Sequence, residues 1–235
     1  MSSREQKEGW MWLSVDPLAE QAVNWTPYRY GYNNPLKYTD PTGMLEDDFV
    51  FDEKGNFVRI DETKQPDKLV VENSKTGSRQ NYWFADPVED PKSIRDGLIN
   101  KVEFVSKSSI ISMIYVQGGF DSNNSSYTSF YQNSKGNQSF DYTYSELVNK
   151  FKDADRSLSL PEDDFMIHNL SNFGNFLWAA TGYSLGFEYM TLKIGAHINS
   201  LINAKENGYQ PQLDSKDDQE FIVKGAFLHR EIILD

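Results

Sequence analysis

The sequence predicts an α+β fold: a small β-rich N-terminal and middle part built from hairpins, followed by a mainly helical C-terminal domain. Two observations carry this. Between Asp48 and Phe84, short runs of Phe, Val and Tyr are broken by turn glycines. From Glu162 onward, apolar residues recur at helical spacing. With 235 residues and 38% hydrophobic side chains, the chain can bury a sizeable core.

Taken in order, the stretch from Ser14 to Met44 is punctuated by Pro17, Pro27, Pro35 and Pro41, which force turns and extended pieces. Tyr28, Tyr30 and Tyr32 alternate as in a half-buried strand, and with Trp25 and Tyr38 they need a partner surface to cover them. After Met44, DFVFDEKGNFVRI reads as two strands around Lys54-Gly55-Asn56. A second hairpin is expected from Lys68–Glu72 and Gln80–Phe84, turning at Thr76-Gly77. Both turn glycines supply the positive φ that tight hairpins require.

Asp90-Pro91 predicts a helix cap followed by a helix from about Lys92 past Ile99. Val102–Val105 and Ile110–Val116 are apolar and β-branched and read as strands. Gly118–Gln138, rich in Ser, Asn and Gly, reads as a long exposed loop. A short helix is expected around Glu146–Phe151. Three more follow: Asn172–Gly186, as one helix or a broken one, Glu188–Asn207 and Ser215–Leu234, the last starting on Ser215-x-x-Asp218. In the second of these, Met190, Ile194, Ile198 and Leu201 form a stripe expected to be buried. The domain division implied is 1–44, 45–139 and 140–235.

The chain has no cysteine, so disulfides and thiolate metal sites are excluded. Its net charge of −12 opposes a broad grip on phosphate backbones, so no stable nucleic-acid binding is expected beyond a possible substrate. No apolar run is long enough to span a bilayer and the charged N-terminus is unlike a signal peptide, so no transmembrane or targeting segment is expected. There is no phosphate-binding loop, nucleophile elbow or zinc-protease motif.

Chemistry must therefore come from scattered groups. His197 lies beside the apolar stripe of its helix and reads either as a satisfied core histidine or as a general acid or base. Asp214, Asp217, Asp218 and Gln219 cluster at a helix start. The helix dipole accounts for some of that charge, and binding of a divalent cation or polarisation of a water by two carboxylates with Gln219 is the functional alternative. Asn175, an amide among apolar residues, is either a structural cap or a substrate-orienting group. Gly174, Gly182 and Gly186 read as points where another segment comes close. His229 and Asp141 are secondary candidates, and His168 reads as solvent-facing. No metal and no cofactor is expected.

Two stretches carry resemblances. Asp16-Pro17-Leu18-Ala19-Glu20, Pro27-Tyr28-Arg29-Tyr30, Asn33-Asn34-Pro35 and Asp40-Pro41-Thr42-Gly43-Met44 resemble, in order, the terminal motif of the Rhs-repeat-associated core. That core ends the large shell proteins that enclose a variable C-terminal toxin. The resemblance implies self-cleavage after Met44, with Asp40 and Asp16 as the acting carboxylates. The C-terminal third resembles the polymorphic toxin type 44 domain, through Phe140-Asp141-Tyr142, Phe173-Gly174-Asn175-Phe176, Gly182, Leu185-Gly186-Phe187, Leu192–Ala196, Asp217-Asp218-Gln219 and Gly225.

Together these imply a secreted effector toxin of interbacterial competition, delivered into the cytoplasm or periplasm of a target bacterium. Its expected partners are a cognate immunity protein and the Rhs shell of the parent polypeptide. The expected activity is that of a hydrolase acting on RNA or the cell wall, with His197, Asp217 or Asp218, Gln219 and Asn175 as the site. The alternative is a non-enzymatic effector tip, either a binding module or one whose Phe173–Phe187 segment opens to perturb a membrane.

Overall fold

In the computed structural model, residues 47–63, 65–151, 153–202, 210, 213, 219 and 222–226 are described. β1 (Asp47–Asp52) and β2 (Phe57–Glu62) form the first expected hairpin, and β3 (Lys68–Glu72) and β4 (Arg79–Phe84) the second. Gly55 and Gly77 both have positive φ at the turns. The two hairpins join through a parallel pairing of β1 with β3, in which Phe49 faces Leu69 and Phe51 faces Val71.

The sheet then extends through residues distant in sequence. β7 (Met166–Ile167) pairs parallel with β4, and His168 forms a bridge with Ser159 of β6 (Ser157–Pro161). β6 pairs parallel with β5 (Lys101–Val105). β5 returns to the first hairpin: Val102 N–H donates to the Gly55 carbonyl at 2.7 Å and Phe57 N–H to the Asn100 carbonyl at 3.0 Å. The strands thus curl until the last meets the first turn. A Cβ at Gly55 would collide with the Val102 carbonyl, so glycine is required there for closure as well as for the turn.

Phe49, Phe51, Leu69, Phe84, Leu158 and Ile167 fill the interior of this curled sheet. A second core lies among the helices: α2 (Lys107–Val116), α3 (Tyr127–Asn133), the π-helical turn Thr143–Leu147 that runs into α4 (Val148–Lys150), α5 (Leu170–Ser184) and α6 (Tyr189–Ile202). The α+β class is as the sequence predicts. Both cores draw residues from either side of residue 140.

Several elements differ from expectation. Ile110–Val116 lies in α2, not in a strand. Ser106 caps the helix through Ser109 N–H, and Ile110, Met113 and Ile114 are buried at helical spacing while Tyr115 and Val116 face solvent. The polar stretch Gly118–Gln138 is not one loop: Asp121 and Ser126 cap the short helices Ser122–Asn124 and α3, which place Phe130 in the helical core. Ser157–Pro161 is a fully buried strand, and Met166–Ile167 breaks the helical reading after Glu162.

Helix α1 (Glu89–Arg95) starts earlier than expected and ends sooner. Asp86 Oδ1 accepts from Val88 and Glu89 N–H, and Gly97 has positive φ at the exit. Asp90 does not cap. It is buried, and its carboxylate accepts from the Asn169 side chain at 3.0 Å, tying α1 to the start of α5.

α5 is one unbroken helix capped by Asn169. A Cβ at Gly174 would run into Thr143 and one at Gly182 into Leu192, whereas Gly186 ends the helix at positive φ. The stripe of α6 is the clearest reversal: Met190, Ile194, Ile198 and Leu201 are exposed, and Leu192 is the buried anchor. The face turned inward is set by where Gly182 lets α6 approach, and that face is rotated away from the stripe.

Candidate functional site

The β4–β7 edge assembles titratable groups that the sequence does not place together. Trp83 pairs with Met166, so by strand alternation their side chains share the face opposite Phe84 and Ile167. His168, two residues beyond Met166, continues that face and is fully buried, its ring 5.5 Å from that of Phe176 and 6.0 Å from that of Phe173. Its Nε2 lies 3.1 Å from Asp164 Oδ2, and Asp164 Oδ1 accepts from Met166 N–H at 3.0 Å. Lys224 Nζ is seated against the Met166 sulfur.

The electrostatics follow from burial. Desolvation pushes the His168 imidazole below its ordinary pKa, against the opposing pull of Asp164. Burial alone would raise the Asp164 carboxyl. The hydrogen bonds from His168 and Met166, together with nearby Lys224, hold it below the usual carboxylate range. At neutral pH the arrangement is an Asp164 carboxylate and a neutral imidazole whose contact with that carboxylate assigns the proton to Nε2. His168 is shut away from solvent, whereas the Asp164 side chain is 19% exposed. Asp164 is therefore the member of the pair open to solvent: an ionised, fixed hydrogen-bond acceptor with Lys224 nearby.

A second acidic constellation sits at the start of β1. Arg95 bridges Asp47 Oδ2 at 2.8 Å and Asp67 Oδ2 at 3.0 Å, while its guanidinium lies 4.9 Å from the Phe49 ring centroid. Asp67 also accepts from Asp47 N–H at 2.7 Å. Burial pushes its carboxyl up to about 6 in spite of Arg95. Two carboxylates share one cation there, and the site ties strand to helix.

Of the candidates chosen from sequence, Asp16, Asp40, Met44, Asp217, Asp218 and His229 lie outside the described residues. Gln219 is buried, and its side-chain amide donates to the Lys193 carbonyl at 3.3 Å. That brings it to the turn of α6 leading to His197, whose Nδ1 is buried without a hydrogen-bond partner. Asn175 lies within α5, partly buried. Asp141 accepts from Asn137 N–H at 2.7 Å, and its carbonyl accepts from Tyr144 and Ser145, closing the turn before the π-helical segment.

His168 is not solvent-facing as expected, because β6, β7 and α5 enclose it. Asp164 and Lys224 were missed as well. The sequence signal was the carboxylate four residues before a histidine, which reads as loop until β7 is known to be a strand.

Among the described residues, no group of three or more His, Cys, Asp or Glu is placed to hold a metal ion, and no helix is long and apolar enough to cross a membrane. Comparison with protein-family models, curated proteins and solved structures gives no match.

Proposed function

We propose that the chain carries the C-terminal effector toxin of an Rhs-type polymorphic toxin, freed after Met44 and acting in a target bacterium as a hydrolase on RNA or the cell wall. The observation that carries this is the junction. The spaced proline and tyrosine motif ends at Met44, and β1, a strand flanked on both sides in the sheet, begins at Asp47. Cleavage after Met44 would cut no described strand or helix. The membrane-perturbing alternative gains no support, since Phe173, Phe176 and Phe187 are core residues.

Within this reading Asp164 is the carboxylate that meets the substrate and His168, shut away from solvent, positions it, because among the described histidines His168 has a carboxylate in hydrogen-bond contact. His197 with Gln219 and the adjacent Asp217 and Asp218 is the competing set. The test is growth arrest on expressing residues 45–235 in the cytoplasm or, with an export signal, in the periplasm. Arrest lost in Asp164→Asn and kept in His197→Ala supports the first set, and the reverse supports the second. Absence of arrest in both compartments overturns the toxin reading.

A further inference from the structure

On the face of the β1–β4 sheet opposite Phe49, Leu69 and Phe84, alternation places Asp48 and Val50 of β1, Val70 and Glu72 of β3, and Arg79, Asn81 and Trp83 of β4. Asp48, Val50 and Val70 are buried there, so the open part of this face is a platform along β4 at Arg79, Asn81 and Trp83, which adjoins the Asp164 segment where Trp83 N–H donates to the Phe165 carbonyl at 2.9 Å. Trp83 is 50% exposed, large for an indole on a paired strand, and Asn81 beside it is exposed. Met166 and the Asp164–His168 pair lie on its other side.

We propose that this platform binds a glycan chain, with Trp83 stacking on a sugar ring and Asp164 and Asn81 taking its hydroxyl or acetamido groups. Three features favour a glycan. The Asp164 carboxylate is held rigidly by two donors and keeps an exposed edge, which makes it a preorganised acceptor for hydroxyl or amide hydrogens. Asn81 and Trp83, two apart on β4, lie about 7 Å from one another, a spacing on the scale of one sugar ring. The charges farther along the same face cancel: Arg59, Arg79 and Lys68 are all paired with Asp61, Glu72 and Asp48. That leaves no net positive field for a phosphate backbone, so the flat ring beside it is better matched to a sugar than to a nucleobase.

The proposal deepens the hydrolase reading by naming the substrate class, but its test does not depend on toxicity. The full chain is titrated with a chitin oligosaccharide by calorimetry and incubated with insoluble peptidoglycan in a sedimentation assay. Wild-type protein binds both. Trp83→Ala weakens oligosaccharide binding by about tenfold or more, the size of one lost aromatic contact, and Trp83→Tyr restores most of it. Far-ultraviolet circular dichroism and a cooperative thermal transition matching the wild type show that Trp83→Ala remains folded. Failure of wild-type protein to bind either glycan, binding indifferent to Trp83→Ala, or displacement of the oligosaccharide by single-stranded RNA overturns the proposal. Growth arrest with no glycan binding would retain the toxin and remove the glycan.

Discussion

The hydroxyls of Tyr142 and Thr181 lie 2.6 Å apart, both residues being buried. This contact fastens the segment after the polar stretch to the middle of α5. Tyr142→Phe leaves the Thr181 hydroxyl without this partner and is expected to cost about 1–2 kcal/mol in chemical denaturation. Pairing it with Thr181→Val removes both polar groups, and the double variant is expected to be less destabilised than the sum of the singles.

Two glycines separate close approach from helix propensity. A Cβ at Gly225 would strike the Phe176 carbonyl, whereas Gly195, exposed within α6, has nothing within 4 Å of that position. Gly225→Ala should lower stability by more than about 2 kcal/mol through forced separation of the helices. Gly195→Ala should raise it by roughly 0.5–1 kcal/mol by restricting the unfolded chain. Thermal denaturation of the two variants reads both signs.

The Asp67 carboxyl, pushed up to about 6 by burial, makes stability depend on pH. Its folded value lies above its unfolded value of about 4, so its contribution is fully present below pH about 4 and is lost as pH rises through about 6. His168 acts in the opposite sense. Its folded value is depressed, so its contribution is present above about pH 6.5 and is lost as pH falls through the folded value. Asp67→Asn removes the acid-side gain alone. Its stability should fall more steeply than that of the wild type between pH 7 and pH 4, by on the order of 2 kcal/mol in urea titrations.

The orientation of α6 is testable by polarity. Leu192→Ala empties a buried site and is expected to cost about 2–5 kcal/mol. Ile194→Ser and Ile198→Ser, on the exposed stripe, are expected to change stability by no more than about 0.5 kcal/mol. Comparable losses at all three positions would place the stripe inside.

The hairpins were legible because their causes are local. Gly55 and Gly77 supply backbone conformations that other residues resist, and the flanking runs have strand composition. The α+β class and the close-approach glycines of α5 were legible for the same reason. The contact between Asp164 and His168 was not. Asp164 and His168 are linked by their own spacing, but a buried histidine requires β6 beside it and α5 above it.

The sequence by itself determined where the chain turns, which runs are apolar, and that no thiol chemistry is present. Tertiary structure alone decided that Ser157–Pro161 is an interior strand, that α6 turns Leu192 inward in place of the stripe, and that Trp83 and Met166 share a face. Those outcomes depend on pairings of β1 with β3, β4 with β7 and β5 with β6, and on where Gly182 admits a helix. Side-chain periodicity shows that an element has a face, but only the neighbour that packs against it fixes which face is buried.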